Sequence, residues 1–312
     1  MGGGGGGVFS SYSPDKYKEK IREAREKTRD EAVETLVSEI INRLLADYNR
    51  RDVEAIGEHL EEIKEIIKEE NVGTIQLLFG GSVSKHTYIN GLSDVDVLMT
   101  IDKSDLSGLP PKKVLEYVSS KLKEKLVDVQ DIKVGKIAVT VVFSDGIMIQ
   151  ILPAIKHGEG FMISTEKGNE WSNIIRPDKF ATKLTEVNQS YNGKVVPVIK
   201  LAKGIIAQFP ENQQLTGYHV ESIAMEAFKR YPDSKPKTTK AMLTYFFKRA
   251  TEIVKTPIRD KTGQSIHVDD YLGTESSPER LKISYTLNRM HGRMKNADAI
   301  ASVDEWSAIL EE

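Results

Sequence analysis

The segment Gly80-Gly81-Ser82-Val83-Ser84-Lys85-His86-Thr87-Tyr88-Ile89-Asn90-Gly91-Leu92-Ser93-Asp94-Val95-Asp96-Val97-Leu98 is the most informative part of this 312-residue chain. Residues 74–79 before it read Thr-Ile-Gln-Leu-Leu-Phe, which predicts a strand ending at the glycines. A strand that ends in Gly-Ser lets the backbone approach a phosphate closely. Glycine removes the side chain that would block the approach, and the exposed amides with the Ser82 hydroxyl can donate to phosphate oxygens. Lys85 follows the turn and either reaches the same phosphate or is solvated at the surface. A second strand is predicted over 94–101, where Val95, Val97 and Met99 alternate with Asp94, Asp96 and Leu98. Alternate strand residues share a face, so the two carboxylates project together. They repel unless a cation lies between them. Mg²⁺ carrying a nucleoside triphosphate is the natural occupant, because it completes its shell with phosphate and water; Mn²⁺ is the alternative ion.

Helical periodicity flanks this core on both sides. Residues 14–70 carry apolar residues at helical spacing, through Val33, Leu36, Val37, Ile40, Ile41, Leu44 and Leu45 and again through Ile56, Leu60, Ile63, Ile66 and Ile67. A helix is predicted over 110–126, with Pro110 and Pro111 near its start. Residues 137–143 and 147–152 predict a hairpin around Ser144-Asp145-Gly146. Beyond residue 175 the pattern is helical, best over 179–190, 194–208, 217–230, 236–253 and 278–295. The expected organisation is a Gly-rich tail over 1–13, an α/β lobe with a helical lead-in over 14–175, and a helical lobe over 176–312. The join of sheet and helices is the natural place for a cleft. Lys200 and Lys203 stand three apart on the helix 194–208 and so share a side. Tyr218 is either a base-stacking ring or a core tyrosine.

Composition narrows the function classes. There is no cysteine, so disulfides and thiolate metal sites are excluded, which fits a cytoplasmic protein. No apolar run is long enough to cross a bilayer. Six glycines follow Met1 with no basic flank and no apolar stretch, and Gly6 stands where a myristoylation signal needs Ser or Thr; the segment reads as a disordered tail, not a signal. The net charge of −2 and a pI near 6.4 make long nucleic acid an unexpected partner, whereas a nucleotide needs only local positive charge.

The spacing of Gly81-Ser82 and Asp94-x-Asp96 resembles the signature of polymerase-β-like nucleotidyltransferases. More narrowly, residues 70–295 resemble the bacterial cGAS/DncV-like nucleotidyltransferases. Further anchors are Leu152-Pro153-Ala154, Trp171, Pro177, the run Val195-Val196-Pro197-Val198-Ile199-Lys200-Leu201-Ala202-Lys203, and Tyr218-His219 before Val220-Glu221. The resemblance implies a mixed sheet lobe with a helical C-terminal lobe and a nucleoside triphosphate held between them. It implies Mg²⁺-dependent transfer of a nucleotidyl group to a hydroxyl. The implied product is a cyclic or linear oligonucleotide signal in anti-phage defence, sensed by an effector protein. It also places a helix lysine against the triphosphate, Lys200 ahead of Lys203.

The resemblance places a third acid two residues before Leu152-Pro153-Ala154, where this chain has Gln150. A glutamine offers one neutral carbonyl oxygen and holds a cation less strongly than a carboxylate. Three readings stay open: a natural enzyme working with two strong ligands and Gln150, a natural binder with weak or lost catalysis, and an engineered variant. Asp145 is too early in the hairpin to replace the missing acid, and Glu159 is the other candidate. Two functional alternatives remain, a nucleotidyltransferase that modifies tRNA or protein and a nucleotide-binding regulator with a degenerate site. His86 and His219 read as structural, since neither forms a spaced ligand cluster.

Overall fold

The computed structural model describes residues 14–50, 52–68, 73–165, 168–260, 262 and 267–311. The expected tail over 1–13 lies outside the described residues. Helix α1 (Pro14–Asn49) and helix α2 (Val53–Lys68) lead into the sheet. The helical pattern read over 14–70 is therefore two helices, one ending at Asn49 and the next starting at Val53. Asp52 restarts it, its carboxylate accepting the Ala55 amide at 2.9 Å as an N-cap does.

Six strands form one mixed sheet: β1 (Gly73–Phe79), β2 (Val95–Ser104), β3 (Val129–Val134), β4 (Val139–Phe143), β5 (Met148–His157) and β6 (Gly160–Ile163). The order is β1-β2-β5-β4-β3, with β6 paired to β5. Strands β2 and β5 run parallel, Asp96 beside Gln150, and the other pairs are antiparallel. The expected strands and hairpin are present; β3 and β6 are added. β3 exposes most of its length, only Ile132 being buried, and β6 has four residues, so neither carries a readable alternation.

The alternation in β2 builds the site. Val95, Val97, Met99 and Ile101 are buried against Ile63 and Ile67 of α2 and Val114, Val118 and Leu122 of α4 (Pro111–Lys125). Asp94, Asp96 and Leu98 are thereby turned to the opposite face. A second core belongs to the helical lobe: α5 (Pro177–Ser190), α6 (Val195–Ala207), α7 (Gly217–Phe228), α8 (Thr239–Ile253), α9 (Pro278–Ala299) and α10 (Val303–Glu311). Val33, Val37 and Ile41 of α1 pack into this core although α1 precedes the sheet in sequence. Among the described residues, no helix is long and apolar enough to cross a membrane.

Candidate nucleotide and metal site

The β1 strand stops at Phe79, and the chain turns through Gly80 into the single helical turn α3 (Gly81–Ser84). The Gly80 amide donates to the Asp96 carbonyl at 2.8 Å, which ties the turn to β2. Gly81 has φ +48, and a Cβ built there would fall inside the Asp96 carboxylate. Glycine is thus required twice, once for its backbone angle and once for space. The Gly81→Ala variant is expected to lose about a hundredfold or more in any activity of this site, because displacing a reacting group by about 1 Å costs that much. Activity assays beside a thermal melt check this; a folded Ala variant as active as wild type would show that the turn does not position the carboxylates.

Asp94 ends the loop just before β2, and Asp96 is its second residue. Burial pushes the Asp94 carboxyl above its usual range, and a hydrogen bond from Gln150 Nε2 opposes the rise. Burial also raises Asp96. There the Lys85 charge and the Ser82 amide pull downward, and the charge of Asp94 pushes further up. Two carboxylates facing one cavity, each penalised in its charged form, fit a hard divalent cation that takes its other ligands from phosphate and water. Among the described residues there is no group of three acid or histidine side chains placed to hold a metal ion. Gln150 lies beside Asp96 in the β2–β5 register and contributes an amide. The alternative acids are spent elsewhere: the Asp145 carboxylate pairs with His59 of α2 at 2.8 Å. Glu159 is exposed beyond the opposite end of β5, roughly 20 Å or more from Gln150 at about 3.3 Å per residue.

The cleft is made by both lobes. Gly81, Ser82, Lys85, Asp94 and Asp96 face Lys203, Gly217, Tyr218 and Glu221 across a cavity of about 340 Å³. It adjoins a larger, more apolar cavity of about 750 Å³ whose walls include Gln150, Leu152, Ile163, Phe180, Tyr218 and Thr262. Together they suit a ligand with a polyanionic end and a flat apolar end. Tyr218 belongs to both cavities. Its ring meets Phe180 edge-on at 4.9 Å, and its hydroxyl donates to Asp260 at 2.8 Å. Burial and then the Asp260 charge raise the phenol, so it stays neutral.

The lysines need a correction. Lys200 does not line this cleft. Its ammonium donates to Asn49 Oδ1 at 2.6 Å, at the carboxyl end of α1, and it lines a separate cavity with Tyr48, Phe79, His86 and Tyr88. The C-terminus of a helix carries partial negative charge, which favours a cation there. Lys203, one turn on, reaches the cleft instead. Its ammonium donates to Glu221 at 2.8 Å and to the carbonyl and hydroxyl oxygens of Thr87 at 3.1 and 3.2 Å. Burial lowers Lys203, and Glu221 opposes the fall. Lys85 is in the cleft as expected, paired with Glu221 and 5.1 Å from the Tyr218 ring centre.

Sequence reasoning missed Glu221 as a site residue and Thr87 as the buried partner behind it, outside the cavity lining. The available signal was an acid among the apolar residues of α7, since a buried carboxylate needs cationic partners. His219 is structural, as read. Burial pushes its imidazole down to about 4, Nδ1 faces the Tyr271 hydroxyl at 2.9 Å, and Nε2 approaches Asp269 at 3.3 Å without hydrogen-bond geometry. Asp269 in turn pairs with the fully buried Arg280 at 2.6 Å, so this network fixes the first turn of α7 next to the cleft.

Comparison with known proteins bears on the fold. Residues 35–188 match the family of the Second Messenger Oligonucleotide or Dinucleotide Synthetase domain. No curated protein matches the chain by sequence. Among solved structures, CdnC of E. coli MS115-1 with ATP superposes with a TM-score of 0.60 at 16% identity, over 87% of this chain and 96% of that one. The CD-NTase CdnG of Bradyrhizobium diazoefficiens in complex with GTP gives 0.62 at 13%, over 82% and 88%. The cyclic AMP-GMP synthase DncV of Vibrio cholerae, with a linear intermediate bound, gives 0.60 at 12%, over 96% and 91%. Residues 35–188 are a Second Messenger Oligonucleotide or Dinucleotide Synthetase domain, and the chain has the polymerase-β-like fold of the cGAS/DncV-like nucleotidyltransferases.

Proposed function

We propose that the protein is a Mg²⁺-dependent nucleotidyltransferase that joins nucleoside triphosphates into a cyclic or linear oligonucleotide signal. The observation that carries this reading is the meeting of Asp94, Asp96, the Gly81-Ser82 turn and Lys85 on one cavity between the lobes. In the reaction a sugar hydroxyl oxygen forms a bond to the α-phosphorus, and the bond from that phosphorus to the β-bridging oxygen breaks to release pyrophosphate. Asp94 and Asp96 hold the cation, which supplies charge neutralisation on the triphosphate. The Gly81-Ser82 amides and the Lys85 ammonium bind the phosphate oxygens and fix the chain in line. The hydroxyl proton is lost to solvent as the new bond forms. Tyr218 and the apolar wall beside it receive the base. The likeness to signal synthetases adds a partner, an effector protein that senses the product, and a place in anti-phage defence.

One observation favours a second reading, binding with little catalysis: Gln150 donates its amide to Asp94, where the related pattern has a third acid. Product analysis separates the two. Incubation with the four labelled ribonucleotides and then deoxyribonucleotides, with Mg²⁺ and with Mn²⁺, followed by chromatography, is expected to give a new phosphodiester product with release of pyrophosphate. Nucleotide binding without any such product under all these conditions would establish the binder.

A further inference from the structure

Glu221 is fully buried in α7 and collects three donors. Lys85 and Thr87 approach from the sheet lobe and Lys203 from α6. The three positions available to the Lys203 ammonium protons are taken inside, one on Glu221 and two on Thr87. Lys85 is placed differently. It gives one hydrogen bond to Glu221, lies over the Tyr218 and Phe180 rings at 5.1 and 5.3 Å, and borders the cavity that contains Asp94 and Asp96. A flexible lysine stem in open solvent would sample many rotamers, and ordering it on binding costs affinity. Anchored at one proton, it keeps two for a ligand.

We propose that Glu221 is a positioning residue that presents Lys85 to the phosphates, while Lys203 serves as an internal brace between the lobes. The proposal rests on the reading of the cleft as a nucleoside triphosphate site. It assigns the phosphate contact from the helical side of the cleft to a sheet-lobe lysine acting through a helical-lobe acid, not to a lysine of α6. It also couples the lobes to the ligand, because the same carboxylate fastens Thr87 and Lys203 across the lobe boundary.

The test is a double-mutant cycle read by equilibrium binding of non-hydrolysable ribonucleoside triphosphate analogues with Mg²⁺ to the full chain. Glu221→Gln keeps the shape and removes the charge; it is expected to weaken binding about tenfold, the size of a lost charge-assisted contact. In the Lys85→Met background the same change is expected to cost less than about twofold, because Glu221 then has no lysine to present. Thr87→Val removes a lobe-spanning contact without touching Lys85; it is expected to lower the melting temperature and leave affinity within about twofold. An equal loss on Glu221→Gln in both backgrounds would overturn the proposal, as would a Thr87→Val loss as large as that of Glu221→Gln. If Glu221→Gln fails to fold, Glu221→Asp carries the same cycle, its shorter reach loosening Lys85. Wild type that binds no analogue would overturn the proposed function as well. Wild type that binds while Glu221→Gln binds equally would overturn only this inference.

Discussion

Replacing both Asp94 and Asp96 by alanine is expected to abolish product formation, by about a thousandfold or more, while leaving the fold intact or more stable. The catalytic loss follows from removing the two anionic ligands that hold the cation; removing even one preorganised electrostatic group typically costs about a hundred- to a thousandfold. The stability effect follows from the sign of the carboxyl shifts. Both carboxyls are raised, chiefly by burial, with mutual repulsion adding at Asp96. A raised carboxyl contributes stability that is fully present below the unfolded pKa near 3.9 and is lost as pH rises through the higher folded value. At pH 7, well above the unfolded value, the raised carboxyls therefore cost stability, and alanine relieves that cost. Product assays and thermal melts at pH 7 test both halves. Turnover within tenfold of wild type would remove the carboxylates from the chemistry. A melting temperature lowered by more than about 4 °C, roughly 2–3 kcal/mol at about 2.1 cal/mol/K of unfolding entropy per residue, would show that they stabilise the fold.

The second large effect is expected at Gln150. Gln150→Asp removes the amide that donates to Asp94 and adds a third carboxylate beside Asp96 in the β2–β5 register. Without a divalent ion this concentrates negative charge, so the variant should melt below wild type in chelator and recover most of the difference on addition of Mg²⁺ and nucleotide. With the ion, a full charge replaces a dipole at the ligand position. The Mg²⁺ concentration for half-maximal rate should fall and the rate should rise about tenfold or more, each factor of ten corresponding to about 1.36 kcal/mol of barrier. Product formation across a Mg²⁺ and Mn²⁺ titration decides. Robust wild-type turnover that drops in the Asp variant would show a site built around the amide. No turnover in either protein, with every nucleotide and both ions, would count heavily against an enzyme.

The parts of the site that were legible in the sequence are the parts whose geometry is local. Gly81, Ser82, Asp94 and Asp96 fall within sixteen residues, and one strand alternation fixes which way both carboxylates point. Gln150 was legible only through the family resemblance, by its place two residues before Leu152-Pro153-Ala154; that β5 runs parallel to β2 and sets it opposite Asp96 is seen only in the structure. The lysines were not. Lys200 and Lys203 share one face of α6, and only the docking of α1 decides that Lys200 is captured by Asn49 while Lys203 turns to Glu221. Glu221 and Thr87 lie 134 residues apart, and no periodicity links them. Strands β3 and β6 escaped for another reason: one is mostly exposed and the other has four residues, so neither shows the alternation from which a strand is read.

The central claim is that the cavity between the lobes holds a nucleoside triphosphate with its cation on Asp94 and Asp96. A crystal structure with a non-hydrolysable triphosphate and Mn²⁺, located by its anomalous signal, tests it most directly. The expected result is the ion bound by both carboxylates and phosphate oxygens, with the triphosphate on the Gly81-Ser82 amides and Lys85 and the base against Tyr218. A nucleotide seated instead in the cavity around Lys200, His86 and Tyr88, or an ion away from the Asp pair, would contradict it.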